Sequence, residues 1–261
     1  MIEVDPWALA ETTGGEVLDD GPGGPTLRQR SPLRPADGPQ PWRTASPPAW
    51  SWLPLDGRRT PAEVALLIAA VAAATHPAED DPAETRTARA PEDWPGPAIN
   101  RLLAAPDLIV AGGLQVHDST SAVTVTPGCC CGLETWREWP ALLGGTPPWL
   151  GHDPTPTFQD LGPYLRLWQN DGARGPYLDI PRADLPALLA QAHHDLNAFL
   201  PLTGAWATTW TATHGPATLD GGPDPATETP GPALMAALDR GFAVTAPLEF
   251  PCDTATPAPP T

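Results

Sequence analysis

The sequence predicts an α+β fold in which antiparallel hairpins pack against a few helices, with a flexible N-terminal arm. Two pairs of strand-like segments are each separated by a short polar turn, which is typical of hairpins. A long segment from Asp184 carries apolar residues at helical spacing. The 38 prolines and 24 glycines of the 261 residues concentrate between these segments, so they indicate long connections around a folded body.

We expect three regions along the chain. Residues 1–50 form a Pro/Gly-rich arm that is partly disordered, because runs such as Gly21-Pro22-Gly23-Gly24-Pro25 show no sustained period. Residues 51–250 form one α+β domain, interrupted by an acidic, proline-rich linker at 78–97, and residues 251–261 form a disordered tail. Four tryptophans at positions 7, 42, 50 and 52 are unusual for a disordered arm and could clamp it onto the body.

The first helix is predicted to begin at Thr60-Pro61-Ala62-Glu63. Thr60 is a favourable N-cap, proline suits the first helical position, and Glu63 completes a capping box. The helix should end before His76-Pro77, because proline disfavours helical backbone in the residue before it. Its apolar face is predicted to comprise Val64, Leu67, Ile68 and Val71.

The next elements form the first hairpin. A short helix is predicted at 99–104, then a strand over 108–116 and its antiparallel partner over 122–126. The glycine pair Gly112-Gly113 inside the first strand indicates a bulge or a close backbone approach. Residues 132–143 are predicted to be helical and to end at Gly144-Gly145.

The second hairpin is predicted from strands at 164–168 and 177–180, joined by a turn at Asn170-Asp171-Gly172. A long helix follows from Asp184, then a Pro/Gly loop at 214–232, a short helix at 233–239 and a final strand at 242–250. The buried stripe of the long helix is predicted to comprise Leu185, Leu188, Leu189, Ala192, Leu196, Phe199 and Leu200.

The charge of the chain argues against a nucleic-acid partner. The sequence has 31 acidic and 14 basic residues, a formal net charge of -17, and its arginines form no basic stripe. It contains no lysine, which excludes a phosphate-binding Gly-x-x-x-x-Gly-Lys loop and Schiff-base chemistry, and it has neither a Gly-x-Ser-x-Gly elbow nor a His-Glu-x-x-His motif. The common nucleotide-hydrolase, serine-hydrolase and zinc-protease classes are therefore not indicated.

The sequence also gives an expectation about location. The residues after Met1 show no secretory leader, and the longest apolar run, 64–74, is far shorter than the roughly 20 residues that span a bilayer. Four cysteines, three of them adjacent, do not form the spaced framework of a disulfide-rich secreted domain. We therefore expect a cytoplasmic protein with reduced thiols and without membrane association.

The most conspicuous chemical feature is Pro127-Gly128-Cys129-Cys130-Cys131-Gly132, between a predicted strand and a predicted helix. Thiols before a helix feel the positive end of its dipole, which lowers their pKa and suits a nucleophile, a metal ligand or a redox switch. Consecutive side chains diverge, however, so three adjacent thiols should not converge on one tetrahedral ion. The alternative is structural, because cysteine is small and often buried and would fill a tight corner.

His152-Asp153 is the second candidate, because an imidazole beside a carboxylate can act as a base or a ligand. Asp before Pro154 is also a turn signal, so the pair could be structural. The candidate catalytic residues are therefore Cys129, Cys130, Cys131, His152 and Asp153. The candidate metal ligands are Cys129, Cys131, His117 and His152, with Cys252 as a further source; no cofactor is predicted, and zinc is the ion that such a set would suit.

Two stretches carry a resemblance. Residues 126–139 and the segment Trp149-Leu150-Gly151-His152-Asp153-Pro154 resemble uncharacterised cytoplasmic proteins of GC-rich bacteria. The strand pair and long helix from Tyr164 to Trp206 are similar in layout to small α+β immunity proteins of bacterial toxin systems. That resemblance implies an acidic inhibitor of a basic protein, and it transfers no functional residue.

Two functions therefore follow from the sequence. The first is a non-enzymatic cytoplasmic binding protein whose acidic surface and exposed tryptophan take a basic protein partner, as an immunity-type inhibitor would. The alternative is a thiol-dependent or metal-dependent enzyme centred on Cys129–Cys131 with His152 and Asp153.

Overall fold

The computed structural model describes residues 2–10, 44–45, 51–75, 95–214 and 230–251, and it shows an α+β fold with antiparallel sheets. The predicted fold class is confirmed. The elements in chain order are β1 (Ile2–Ala10), β2 (Ser51–Pro54), α1 (Pro61–Ala74), α2 (Pro95–Ala104), β3 (Gly112–Asp118), β4 (Val123–Val125), a 3-10 helix (Leu133–Gly144), β5 (Thr157–Asp160), β6 (Tyr164–Asn170), β7 (Arg174–Pro181), α3 (Leu185–His214) and α4 (Pro230–Phe242).

The first sheet has the strand order β2-β1-β3-β4. The predicted hairpin of β3 and β4 is present, with Val116 opposite Val125, although β3 begins at Gly112 rather than at residue 108. Gly113 has φ +133°, and a Cβ there would lie 3.2 Å from the Cys131 sulfur. The close neighbours of Gly113 are therefore the side chains of Cys131 and Pro127, whereas the sequence predicted a bulge or a close approach of backbone.

The N-terminal residues differ from the prediction, because residues 2–10 of the expected arm form strand β1. The strand pairs with β3 from Ile2↔Asp118 to Ala8↔Gly112, and with β2 from Trp7↔Pro54 onward. Pro6 lies opposite Leu114 of β3, and the pairing with β2 runs from Trp7 to Ala10. This position suits proline, which has no N–H to donate to a second neighbouring strand. The rest of the arm, apart from residues 44–45, lies outside the described residues.

Helix α1 confirms the first predicted helix. Thr60 is the N-cap, its side chain accepts a hydrogen bond from the Glu63 amide, and the Glu63 side chain accepts from the Thr60 amide. The helix ends at Ala74 with Thr75 as its C-cap, and all four predicted core residues of its apolar face are buried. Of the linker predicted at 78–97, residues 78–94 lie outside the described residues, and residues 95–97 belong to α2.

The second sheet has the order β5-β6-β7. The predicted hairpin of β6 and β7 is confirmed, with Leu165 opposite Ile180 and Leu167 opposite Leu178. Strand β5 was not predicted; it pairs with β6, with Phe158 opposite Leu167. The buried members of these pairs point toward the core.

Helix α3 confirms the long predicted helix and extends to His214, past Trp206 and Trp210. Its stripe supplies much of the core, with Leu185, Leu189 and Ala192 fully buried. Helix α4 packs against α3, and Gly204 and Gly231 lie close together at the crossing. None of the helices in the described part of the chain has both the length and the apolar character that a bilayer span needs.

The final strand predicted at 242–250 is wrong. Residue 242 ends α4, and the segment that follows is irregular. Side chains of the 3-10 helix bind the carbonyls at this junction: Trp136 Nε1 donates to Phe242 O at 2.8 Å, and Arg137 Nε donates to Ala243 O at 2.6 Å. Those carbonyls therefore pair with side chains instead of a neighbouring strand.

Candidate functional site

The cysteine corner, residues 127–132, lies between β4 and the 3-10 helix and is held against the loop of residues 149–154. The Gly128 amide donates to Leu150 O at 2.7 Å, and the Cys129 amide donates to His152 O at 2.7 Å. The sequence singled out both segments, and the structure brings their backbones together. We call this second segment the His152 loop.

Two glycines make this contact possible. A Cβ on Gly128 would lie 2.2 Å from both His152 O and Pro154 O. Gly151 has φ +84°, and a Cβ there would lie 2.8 Å from the Cys131 amide nitrogen. Only residues without a side chain fit at these two points, so the two loops are fixed against each other.

Cys131 faces the interior and is 2% exposed. Its sulfur lies 3.5 Å from Thr135 Oγ1 and 3.7 Å from Trp149 O. Burial raises the pKa of this thiol to about 11, because it disfavours the charged form more than the Thr135 hydrogen bond favours it. The lower pKa expected from the position before a helix is thus not found at Cys131, which is a neutral, packed thiol at neutral pH.

Cys129 and Cys130 differ from Cys131. Cys129 is half-buried and Cys130 is exposed, and their sulfurs lie 3.4 Å apart. Three adjacent thiols do not converge, as predicted, because Cys131 points inward. Two of them, Cys129 and Cys130, nevertheless meet, which was not predicted.

The His152 loop presents an aromatic pair, and the Glu138 carboxylate is hydrogen-bonded to the loop. Trp149 is 47% exposed, and its ring packs edge-on against the His152 imidazole at 4.7 Å between centroids. The Trp149 amide donates to Glu138 Oε2 at 3.2 Å, and Asp153 is exposed next to His152. We call Trp149, His152, Glu138 and Asp153 the Trp149 patch.

Sequence reasoning named His152 and Asp153 but missed Trp149 and Glu138 as members of a site. The available signal was a tryptophan directly after Pro147-Pro148 in a loop, where a large aromatic has few ways to be buried. The exposed fraction of Trp149 could not be read from that signal, because it depends on how the loop seats on the corner.

Glu134 lies behind the corner and was also missed. Burial raises the pKa of its carboxyl, although the amides of Glu134 and Val110 donate hydrogen bonds that lower it. Its Oε2 atom is buried without a hydrogen-bond partner. A Cβ on Gly132 would lie 2.0 Å from its Oε1, so this glycine leaves room for the carboxyl group.

The predicted metal ligands do not form a shared site within the described residues. His117 lies on β3, where its Nδ1 is 2.8 Å from Thr124 Oγ1 on β4. Across the described ranges, no group of three or more His, Cys, Asp and Glu side chains is placed to hold a metal ion. Cys252 lies outside those ranges.

Several arginines of the described residues bind other groups of the fold. Arg166 makes a bidentate pair with Asp179 at 2.7 and 2.8 Å, Arg182 pairs with Asp160, and Arg59 pairs with Asp56. Arg137 donates instead to backbone carbonyls of the segment after α4. Apart from the carboxylates paired with these arginines, others are exposed to solvent, among them Asp107, Glu138, Asp153, Asp171, Asp184 and Glu249.

Comparison with protein-family models, characterised proteins and solved structures finds no significant match to this chain. Function is therefore inferred from the residues of the chain itself.

Proposed function

We propose that this protein is a non-enzymatic binding protein whose acidic surface takes a basic protein partner, as an inhibitor or immunity-type protein does. The observation that carries the proposal is the Trp149 patch, in which the amide of a half-exposed tryptophan donates to the Glu138 carboxylate on a corner fixed by Gly128 and Gly151. Tryptophan is one of the residue types enriched among the anchors of protein interfaces.

The surroundings of Trp149 favour a basic partner. An arginine or lysine of the partner can lie over the indole face and pair with a neighbouring carboxylate of Glu138 or Asp153. The formal charge of -17 adds a long-range attraction that speeds encounter with a basic protein. Because several arginines are paired within the fold, they do little to offset the exposed carboxylates.

The test is capture of a partner from the lysate of the source cells by the full chain, followed by measurement of binding with the purified partner. We expect a basic protein whose association rate falls as salt rises, because steering by charge is screened. Trp149→Ala should weaken binding by about 30-fold or more, the loss typical of a central tryptophan. Replacing Glu138 and Asp153 with their amides should mainly slow association.

Tyr164→Ala is the matched control, because Tyr164 is also 47% exposed but lies on β6 in the second sheet. It should leave the affinity unchanged. Equal binding by the Trp149→Ala variant and the unaltered protein, or recovery of no basic protein at physiological salt, would count against the proposal.

A further inference from the structure

Two thiols meet at the solvent-facing side of the cysteine corner. The sulfurs of Cys129 and Cys130 are 3.4 Å apart, and Cys130 is exposed. We propose that Cys129 and Cys130 form a chelating dithiol site for a trivalent arsenical, with the third substituent of the arsenic directed to solvent. This site does not depend on the protein partner proposed above.

The pair is better suited to remain a dithiol than to close into a disulfide. Consecutive Cα atoms are about 3.8 Å apart across a trans peptide bond. Disulfides usually need a Cα separation of at least about 4.4 Å, and those outside the usual range are strained and easily reduced. A disulfide between Cys129 and Cys130 is therefore readily reopened, which keeps both sulfurs available as ligands.

The separation of the two sulfurs can be compared with the spacing that each ion geometry requires. A tetrahedral zinc with Zn–S bonds of about 2.3 Å holds two sulfurs about 3.8 Å apart and needs two further ligands. A linear two-coordinate ion with bonds of that length needs sulfurs about 4.6 Å apart. Trivalent arsenic has a lone pair that brings its three bonds close to right angles, which with similar bonds places two sulfurs about 3.3 Å apart. The observed 3.4 Å fits the third case.

Cys131 does not supply a third sulfur. It is buried, and its thiol contacts Thr135 Oγ1 and Trp149 O on the inner side of the corner. The site therefore offers two sulfurs, which suits an arsenical that keeps one carbon or hydroxyl substituent. Exposure of Cys130 leaves room for that substituent on the solvent side.

The reaction is a ligand exchange without electron transfer. With phenylarsine oxide, both S–H bonds and the arsenic–oxygen bond break, two As–S bonds form, and one water leaves with the two thiol protons and the oxide oxygen. Arsenic stays trivalent throughout. The second As–S bond forms within the complex, after the first sulfur has bound. Because this step is intramolecular, two sulfurs typically bind about 100-fold or more tightly than one sulfur alone.

The experiment titrates the reduced full-length protein with phenylarsine oxide, using intact-protein mass spectrometry and a count of reactive thiols. We expect one arsenical per chain, the loss of two thiols for each arsenical bound, and release by a dithiol at concentrations where glutathione has no effect. Cys129→Ser and Cys130→Ser should each weaken binding by about 100-fold or more. Cys252→Ser is the control and should bind like the unaltered protein.

Thermal unfolding monitors the fold of each variant, and Cys130→Ser is the decisive one because Cys130 is exposed and its substitution leaves the packing of the corner intact. Undiminished binding by Cys130→Ser would overturn the proposal. Loss of binding in Cys252→Ser would also overturn it, because the chelating pair would then include a different sulfur. Isolation of a Cys129–Cys130 disulfide that glutathione does not reduce would do the same.

Discussion

At the scale of single residues, Gly128 has the strictest requirement in the cysteine corner. Its amide binds Leu150 O, and two carbonyl oxygens, those of His152 and Pro154, occupy the space where a side chain would begin. Backbone atoms of a paired loop cannot turn aside as a flexible side chain can. A substitution must therefore separate the cysteine corner from the His152 loop.

We predict that Gly128→Ala lowers the free energy of unfolding by about 3 kcal/mol, at the upper end for an overpacked interior site. Gly144→Ala is the matched control, since its Cβ would meet nothing nearer than Pro251 Cγ at 3.6 Å. That change should shift stability by less than about 1 kcal/mol. Urea unfolding of both variants measures the difference, and equal midpoints would show that the two loops are not held as described.

The sequence anticipated the candidate site at this scale only in part. It identified the three cysteines and His152 from their residue types, and the structure places both segments at one corner. It could not separate Cys131 from Cys129 and Cys130, because all three share the same local sequence. The difference lies in burial, because Cys131 points inward, where its sulfur contacts Thr135 Oγ1 and Trp149 O.

At the scale of elements, the start of α1 shows why some of the fold was predictable. Its capping box lies entirely within residues 60–63, so four consecutive residues carry the signal. Burial opposes ionisation of Glu63, but hydrogen bonds from Thr60 and the charge of Arg59 outweigh it and hold the pKa of Glu63 below its ordinary value. The ionised form of Glu63 therefore stabilises the folded state.

We predict that Thr60→Ala costs about 1 kcal/mol at neutral pH and that Thr60→Ser costs much less. Because the folded-state pKa of Glu63 is depressed, its contribution is present above the ordinary value of 4.5 and is lost as pH falls through the folded-state pKa. The cost of Thr60→Ala should therefore shrink in acid. Chemical unfolding of the three proteins at neutral pH and at about pH 3 tests this, and a cost that stays constant would exclude the linkage to Glu63.

Elements that depend on distant partners were predicted less well. Strand β1 was missed because its alternation stops at Pro6 and both of its partner strands are distant in sequence, as in Ala10↔Ser51 and Ile2↔Asp118. The strand predicted after α4 failed for a related reason, since Trp136 and Arg137 bind the carbonyls there. By contrast, the β6–β7 hairpin was predictable from its turn at Asn170-Asp171-Gly172.

At the scale of the whole molecule, charge acts in two opposite ways. The chain has 31 acidic residues and 14 basic ones. The excess carboxylates repel one another, and this repulsion destabilises the folded state. The ion pairs of Arg59, Arg166 and Arg182 are local, so they do not remove this excess. The same excess would attract a basic partner, so salt should affect folding and binding in different directions.

We predict that the thermal unfolding midpoint rises between about 0.01 M and about 0.15 M sodium chloride, because shortening the Debye length weakens the repulsion among carboxylates. Over the same range, the rate of association with a basic partner should fall. Chloride is the appropriate anion, since sulfate stabilises proteins by exclusion from their surface and would confound the measurement. A midpoint that falls with salt would mean that the arginine ion pairs, rather than the excess of carboxylates, dominate the electrostatics of this fold.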